Sequence, residues 1–237
     1  MKRKVSILLI VIGLFLILLP TVADMILKII SDNNADNLDQ LTAEDLQRNM
    51  LRDADFDFNG VRDVDLTRTL IGSRNFDPNL IIGQIIIEDI NLNLPIVKGV
   101  SESNLLAGAA TMKKDQIMGK NNYTLAGHYI KRKDTLFGGL MDIKKGSIIK
   151  ITDKKIVYEY SVYNTAVVSD TNLAMISDNK SNQRGTPIIS LMTCYYSSKT
   201  GKRFFALGEL VKEYPYDDTF NKVKLYSVGV SSSPTEY

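Results

Sequence analysis

The chain holds one cysteine, Cys194, and one histidine, His128. A thiol attacks as its thiolate, and a free cysteine, with a pKa near about 8.5, is mostly protonated at neutral pH. A neighbouring imidazole or cation takes that proton or favours the thiolate. One thiol and one imidazole are therefore the smallest pair that supports nucleophilic acyl transfer. A structural reading competes with this one. Cys194 closes the apolar run "PIISLMT", and free cysteine is among the most often buried residue types. His128 taken alone could be an ordinary hydrogen-bonded residue.

The segments around both residues say how they would be positioned. "TLAGHY" reads as a strand ending at Gly127, where missing side-chain bulk admits a close approach by backbone or substrate. "SLMTC" reads as a strand ending at Cys194, followed by turn residues. "RFFALGEL" reads as the return strand of a hairpin, which brings Arg203 back beside Cys194. A guanidinium there can stabilise an oxyanion or grip a backbone carbonyl. Lys202 faces the other way, because side chains alternate along a strand.

Composition narrows the class. The net charge of +2 and the lack of a basic tract with interleaved aromatics argue against nucleic acid as a partner. One cysteine forms no intrachain disulfide, and one histidine with one cysteine gives no zinc-ligand set, so no metal or other cofactor is expected. From about Asn75 the chain becomes a series of short β-branched and aromatic runs separated by Gly, Asn, Asp and Lys. "KIVYEYSVYNT" alternates in polarity, which suits a strand buried on one face. This texture predicts a mainly β fold, a closed barrel or sandwich with few helices. Helical windows are limited to "SESNLLAGAA", with a Ser cap, "LFGGLMDI", and a weak one at "NLAMISD".

Flanking segments suggest four units. Residues 1–23 join a basic tip, Lys2-Arg3-Lys4, to the charge-free run from Val5 to Ala23. Nineteen residues make roughly 28 Å of helix, about the thickness of a bilayer's hydrocarbon core. The basic tip stays cytoplasmic and puts the rest outside the cell. The alternative is a cleaved signal peptide, with Thr21–Ala23 as a weak cleavage site. Residues 24–75 read as an acidic, semi-ordered spacer with one short helix capped by Thr42, or alternatively as a packed subdomain. Residues 76–215 form the globular unit. Residues 216–237 are a polar, loose tail without a second apolar span.

In order and spacing, "NYTLAGH", "SLMTC" and "KRFFALGEL" resemble the class A sortases, membrane-anchored cysteine transpeptidases of Gram-positive bacteria. The resemblance runs from about Leu80 to Val211. The family's T-L-x-T-C motif stands here as Ser190-Leu191-Met192-Thr193-Cys194, with Ser190 in place of the usual Thr. Its histidine motif stands as Leu125-Ala126-Gly127-His128. "IIIED" replaces the Ile-Pro of many relatives. The resemblance implies an eight-stranded sortase barrel behind an N-terminal transmembrane helix. It implies that Cys194 attacks the Thr–Gly bond of a Leu-Pro-x-Thr-Gly signal on a secreted protein. The thioacyl enzyme then passes to the amine of a peptidoglycan precursor. His128 acts as general acid and base, and Arg203 stabilises the oxyanion or positions substrate. Ala126, Leu191, Met192 and Thr193, with part of the loop from Asn172 to Thr186, line the substrate groove.

Some relatives in that family bind calcium through acids before the histidine strand and in the lid loop. Here "TMKKDQIMG" offers Lys113 and Lys114 beside Asp115, a poor site for a hard dication. Calcium-independent activity is expected. "FDPNL" carries Asp77-Pro78 but lacks the aromatic residue of a class C lid motif, so it reads as a turn before the first strand. The rival functions are a pilin-polymerising class C-like sortase, a cysteine hydrolase, and a non-catalytic binding module with Cys194 in its core.

Overall fold

The computed structural model describes residues 2–56, 75–217 and 220. Its β-branched runs form eight strands: β1 Ile81–Ile87, β2 Leu92–Val97, β3 Ala109–Thr111, β4 Asn122–Ala126, β5 Ile148–Thr152, β6 Ile156–Ser169, β7 Ile188–Cys194 and β8 Lys202–Pro215. They close into a barrel in the order β1-β2-β3-β4-β7-β8-β6-β5. Two pairs, β2 with β3 and β4 with β7, are parallel. The other six are antiparallel. Register shifts at Glu159/Tyr160 and Val162/Asn164 interrupt the long β6–β8 ladder. Such bulges bend a strand and add the twist that closure needs. Ile85, Leu94, Tyr123, Leu125, Ile151, Tyr160 and Leu191 fill the interior in one apolar cluster.

The N-terminal region differs from the spacer read in the sequence. Helix α1 runs from Lys2 through to Gln40, so residues 24–40 continue the helix rather than begin a semi-ordered segment. Its buried stripe is Leu27, Ser31, Asn34 and Leu38, three or four residues apart, as one helix face requires. The Asn34 amide donates to the Ala107 carbonyl at 3.4 Å. At the helix end, the Lys154 ammonium donates to the carbonyls of Leu38 and Leu41 at 2.8 and 2.6 Å. A cation there meets unsatisfied carbonyls and the negative end of the helix dipole. The short helix expected in this region is α2, Ala43–Met50, with Thr42 as N-cap in a capping box with Asp45. The Asn49 amide of α2 donates to the Ile81 carbonyl at 2.8 Å, tying α2 to β1. Among the described residues no helix is long and apolar enough to cross a membrane, so the anchor is not shown here. Residues 57–74 of the expected spacer, and the tail after Asp217 apart from Phe220, lie outside the described residues.

Two further helices are short. Helix α3, Glu102–Ala107, is capped by the Ser101 hydroxyl as "SESNLLAGAA" suggested. Helix α4, Asn179–Arg184, was not legible as a helix. "LFGGLMDI" and "NLAMISD" form only 3₁₀ turns, at Leu140–Asp142 and Leu173–Met175. "FDPNL" is a capped turn before β1: the Asp77 carboxylate accepts from the Asn79 amide at 2.9 Å.

Candidate active site

Parallel pairing explains how the lone thiol and the lone imidazole meet. Strands β4 and β7 run in the same direction, with Ala126 beside Met192. His128 and Cys194 each lie two residues past that pair, on the same side of the sheet by alternation. The ladder continues beyond the strand end: the Gly127 amide donates to the Met192 carbonyl at 3.0 Å. The Thr193 hydroxyl donates to the Gly127 carbonyl at 2.8 Å. These two bonds lock the backbone immediately before His128 and Cys194. Strand β8 returns antiparallel and sets Arg203 opposite Cys194. His128, Cys194 and Arg203 therefore form a row across three neighbouring strands, and all three line one groove of about 170 Å³.

The outward faces of the same strands build the floor. Ala126, Met192 and Phe205 line the groove from those faces, and Thr193, Val100 and Leu105 line it as well. Leu191, read as a substrate contact, is not among the lining residues. It is fully buried in the barrel interior with Leu125 and Ile189. Alternation is the reason: one step along β7 turns the side chain from groove to core. Ser190, the departure from the usual Thr, is also buried. Its hydroxyl donates to the Asn122 side-chain oxygen at 2.8 Å, which ties β7 to β4. Gly127 does make room for a close approach, but the occupant is the Phe137 ring. A Cβ on Gly127 would lie 2.5 Å from that ring.

The end of β6 and the segment after it form the far wall. Ser169, Asp170, Asn172, Leu173 and Ile176 line the groove, so the wall starts earlier than the expected Asn172. The Asp170 carboxylate lies 3.8 Å from the Arg203 guanidinium, a loose pair that leaves Arg203 able to face another anion. Arg203 is half-buried and lines the groove, whereas Lys202 is exposed and does not. Past the reactive residues, Tyr129 and Tyr196 meet edge to face with centroids 5.9 Å apart. Tyr196 adopts φ +62°, a left-handed conformation that non-glycine residues take only when their surroundings enforce it. His128 is 4% exposed, and Cys194 is more open, so the thiol is the reachable member of the pair.

No cluster of three or more His, Cys, Asp or Glu side chains able to hold a metal ion occurs among the described residues. Instead, the Lys113 ammonium pairs with Asp178, joining the loop before β4 to the wall segment. Burial alone would raise the Asp178 carboxyl. The hydrogen bonds from Lys113 and the Asn122 amide, with the Lys113 charge, carry it below the ordinary carboxylate value.

Comparison with known proteins gives the class first: a cysteine transpeptidase. A sortase domain model matches residues 85–211, and the chain belongs to the sortase family. It is 39% identical over 212 residues to sortase A of Listeria monocytogenes serovar 1/2a, covering 90% of this chain and 92% of that protein. It is 37% identical over 141 residues to sortase A of Bacillus anthracis, covering 60% of this chain and 65% of that protein. The crystal structure of Listeria monocytogenes sortase A superimposes with a TM-score of 0.56 at 38% identity, covering 62% of this chain and 99% of that chain. These relatives place the chain with the class A sortases.

Proposed function

We propose that this sortase does its chemistry in the outward groove, with Cys194 as nucleophile. The row His128–Cys194–Arg203, set by strand register, carries the reading. The Cys194 sulfur, its proton passed to His128, attacks the Thr carbonyl of a Leu-Pro-x-Thr-Gly signal. The C–N bond to Gly breaks as His128 delivers a proton to the departing amine. An incoming amine then attacks the thioester, gives its proton to His128, and expels the sulfur. Arg203 faces the position where the carbonyl oxygen becomes an oxyanion. The apolar floor of Ala126, Met192 and Phe205 suits the Leu-Pro portion. The clients are secreted proteins with that signal, and the acceptor is a peptidoglycan precursor amine. No nucleic acid and no metal enters.

The same reading puts a membrane anchor at the N-terminus and the barrel outside the cell. The nineteen-residue charge-free run in the full sequence supports it. So do Val5, Ile7, Ile10, Leu14 and Ile17, which α1 leaves exposed. The class C-like alternative is disfavoured because Asp77 caps a turn before β1 and is not among the groove-lining residues.

The test is cleavage of a quenched Leu-Pro-x-Thr-Gly peptide, with and without triglycine, by wild type and by Cys194→Ala in calcium-free buffer. Cleavage that needs Cys194, with product captured by triglycine, is expected. Cleavage without capture makes the protein a hydrolase. Acceptance of only a lysine side-chain amine points to the pilin-polymerising class.

A further inference from the structure

Helix α1 does more than connect. Leu27, four residues past the apolar run, is already buried in the main barrel core with Leu94, Ile130 and Leu136. Lys28, the next residue, lines a cleft with Asn91, Asp134 and Leu136 and lies within electrostatic reach of Asp134. One helical turn rises about 5.4 Å. One edge of the barrel therefore meets α1 about one turn beyond the end of its apolar run. That edge comprises the 3₁₀ turn Glu88–Ile90, the segment 131–136 and the turn 144–147. Contacts tie the three pieces together. Lys133 pairs with Asp142 at 2.7 Å, Gly139 sits between the Lys133 and Ile90 carbonyls, which a Cβ there would meet at 2.8 and 3.3 Å, and the Ser147 hydroxyl donates to Asp89 at 2.6 Å.

The edge is basic. Lys131, Arg132, Lys133, Lys144 and Lys145 are all exposed. Facing them are Asp134, paired with Arg132 at 2.8 Å, together with Asp142 and Asp89. Lys28 is balanced by Asp32 and Lys150 by Glu88. Five cations thus stand against three carboxylates. Tyr129, within electrostatic reach of Lys133, and the 60% exposed Tyr196 add an aromatic pair next to the basic segment. Exposed basic residues with tyrosines, close to the end of an apolar helix, have the chemistry of a membrane–water interface.

We propose that this edge docks on anionic lipid headgroups of the membrane that holds α1. The proposal rests on the anchor reading given above. Docking presses the segment that follows His128 towards the bilayer and fixes how the barrel is oriented on the membrane. The continuous α1 then acts as a stiff post with the barrel locked to it, rather than as a loose tether.

The test uses the full chain with Cys194→Ala, which leaves room for one introduced cysteine. A fluorophore is attached at Ile148→Cys, which is exposed beside the basic turn and leaves its cations in place, and separately at Leu14→Cys, in nanodiscs of pure phosphatidylcholine or with about one-third phosphatidylglycerol. Lipids carry a quencher on the headgroup or on the acyl chain. Quenching of the residue 14 label by the acyl-chain probe in both discs reports the anchor independently. The proposal expects headgroup quenching of the residue 148 label at least twofold stronger in anionic discs, abolished by Lys131→Glu with Lys145→Glu. Equal quenching in both discs, or indifference to the charge reversals, overturns it while the anchor stands. A residue 14 label untouched by the acyl-chain probe overturns both readings.

Discussion

On β7, Leu191 and Met192 are adjacent in the sequence and belong to different parts of the molecule. Leu191 is sealed in the barrel core, while Met192 lines the groove beside Cys194. The same division holds on β4, between Leu125 and Ala126, and on β8, between Phe204 and Phe205. Each strand turns one face to the core and the other to the groove, so one sheet serves as both scaffold and groove floor. The row His128–Cys194–Arg203 inherits the register of a ladder whose inner face cannot slip without exposing its apolar residues.

The largest effects should fall on the outer face and leave folding intact. Cys194→Ala is expected to remove transpeptidation, with a loss of at least about a thousandfold, as befits an essential nucleophile. Its melting temperature should match wild type within a few degrees; a collapse of the fold would mean that Cys194 is a core residue after all. Arg203→Lys keeps the charge but loses the planar fork, and kcat should fall by about ten- to a hundredfold. Unchanged kcat in steady-state assays would remove Arg203 from the oxyanion role.

The inner face should give the opposite pattern. Leu191→Ala is expected to lower unfolding free energy by about 2–5 kcal/mol while activity per folded molecule stays near wild type. Met192→Ala should cost under about 1.5 kcal/mol and raise KM for the peptide several-fold. Denaturant melts run beside the kinetics separate the two. Similar behaviour of both variants would break the contrast between faces.

The smallest effect concerns the wall of the groove. Asp178 has its carboxyl held below the ordinary value, so its pairing with Lys113 contributes above the ordinary carboxylate range, near about pH 4, and is lost as pH falls through the lowered value. Both partners are partly exposed, so the contribution is modest. Lys113→Met should weaken amide exchange protection over residues 170–185 at pH 7, and should do so less at pH 3, as the carboxylate begins to protonate. Equal protection at both pH values would show that the pair does not hold the wall. Addition of calcium should not change wild-type turnover.

Much of this was legible beforehand because strand-ending motifs announce themselves. Gly127-His128, Thr193-Cys194 and Arg203 sit at or next to strand ends beside turn residues, and the short runs between Ile81 and Pro215 predict a barrel or sandwich, which the sortase resemblance narrows to a barrel. The groove contact of Leu191 was misassigned because the motif was taken as a block, although period-two alternation from Cys194 selects Met192 and excludes Leu191. The same alternation from Arg203 would have found Phe205. Asp170 had no local signal: it reaches Arg203 only because β6 and β8 pair, with Ser169 opposite Lys202. The length of α1 was hidden because its barrel-facing stripe includes Ser31 and Asn34, which weakens the apolar period.

The most direct test of the central claim is to trap the acyl-enzyme. The protein is incubated with a Leu-Pro-x-Thr-Gly peptide in the absence of added amine, quenched in acid, and examined by intact mass and peptide mapping. The account predicts a mass gain equal to the acyl fragment ending in Thr, located on Cys194 and discharged by triglycine, with slower formation in His128→Gln. Peptide turnover with no adduct on Cys194, or an adduct on any other residue, would contradict it.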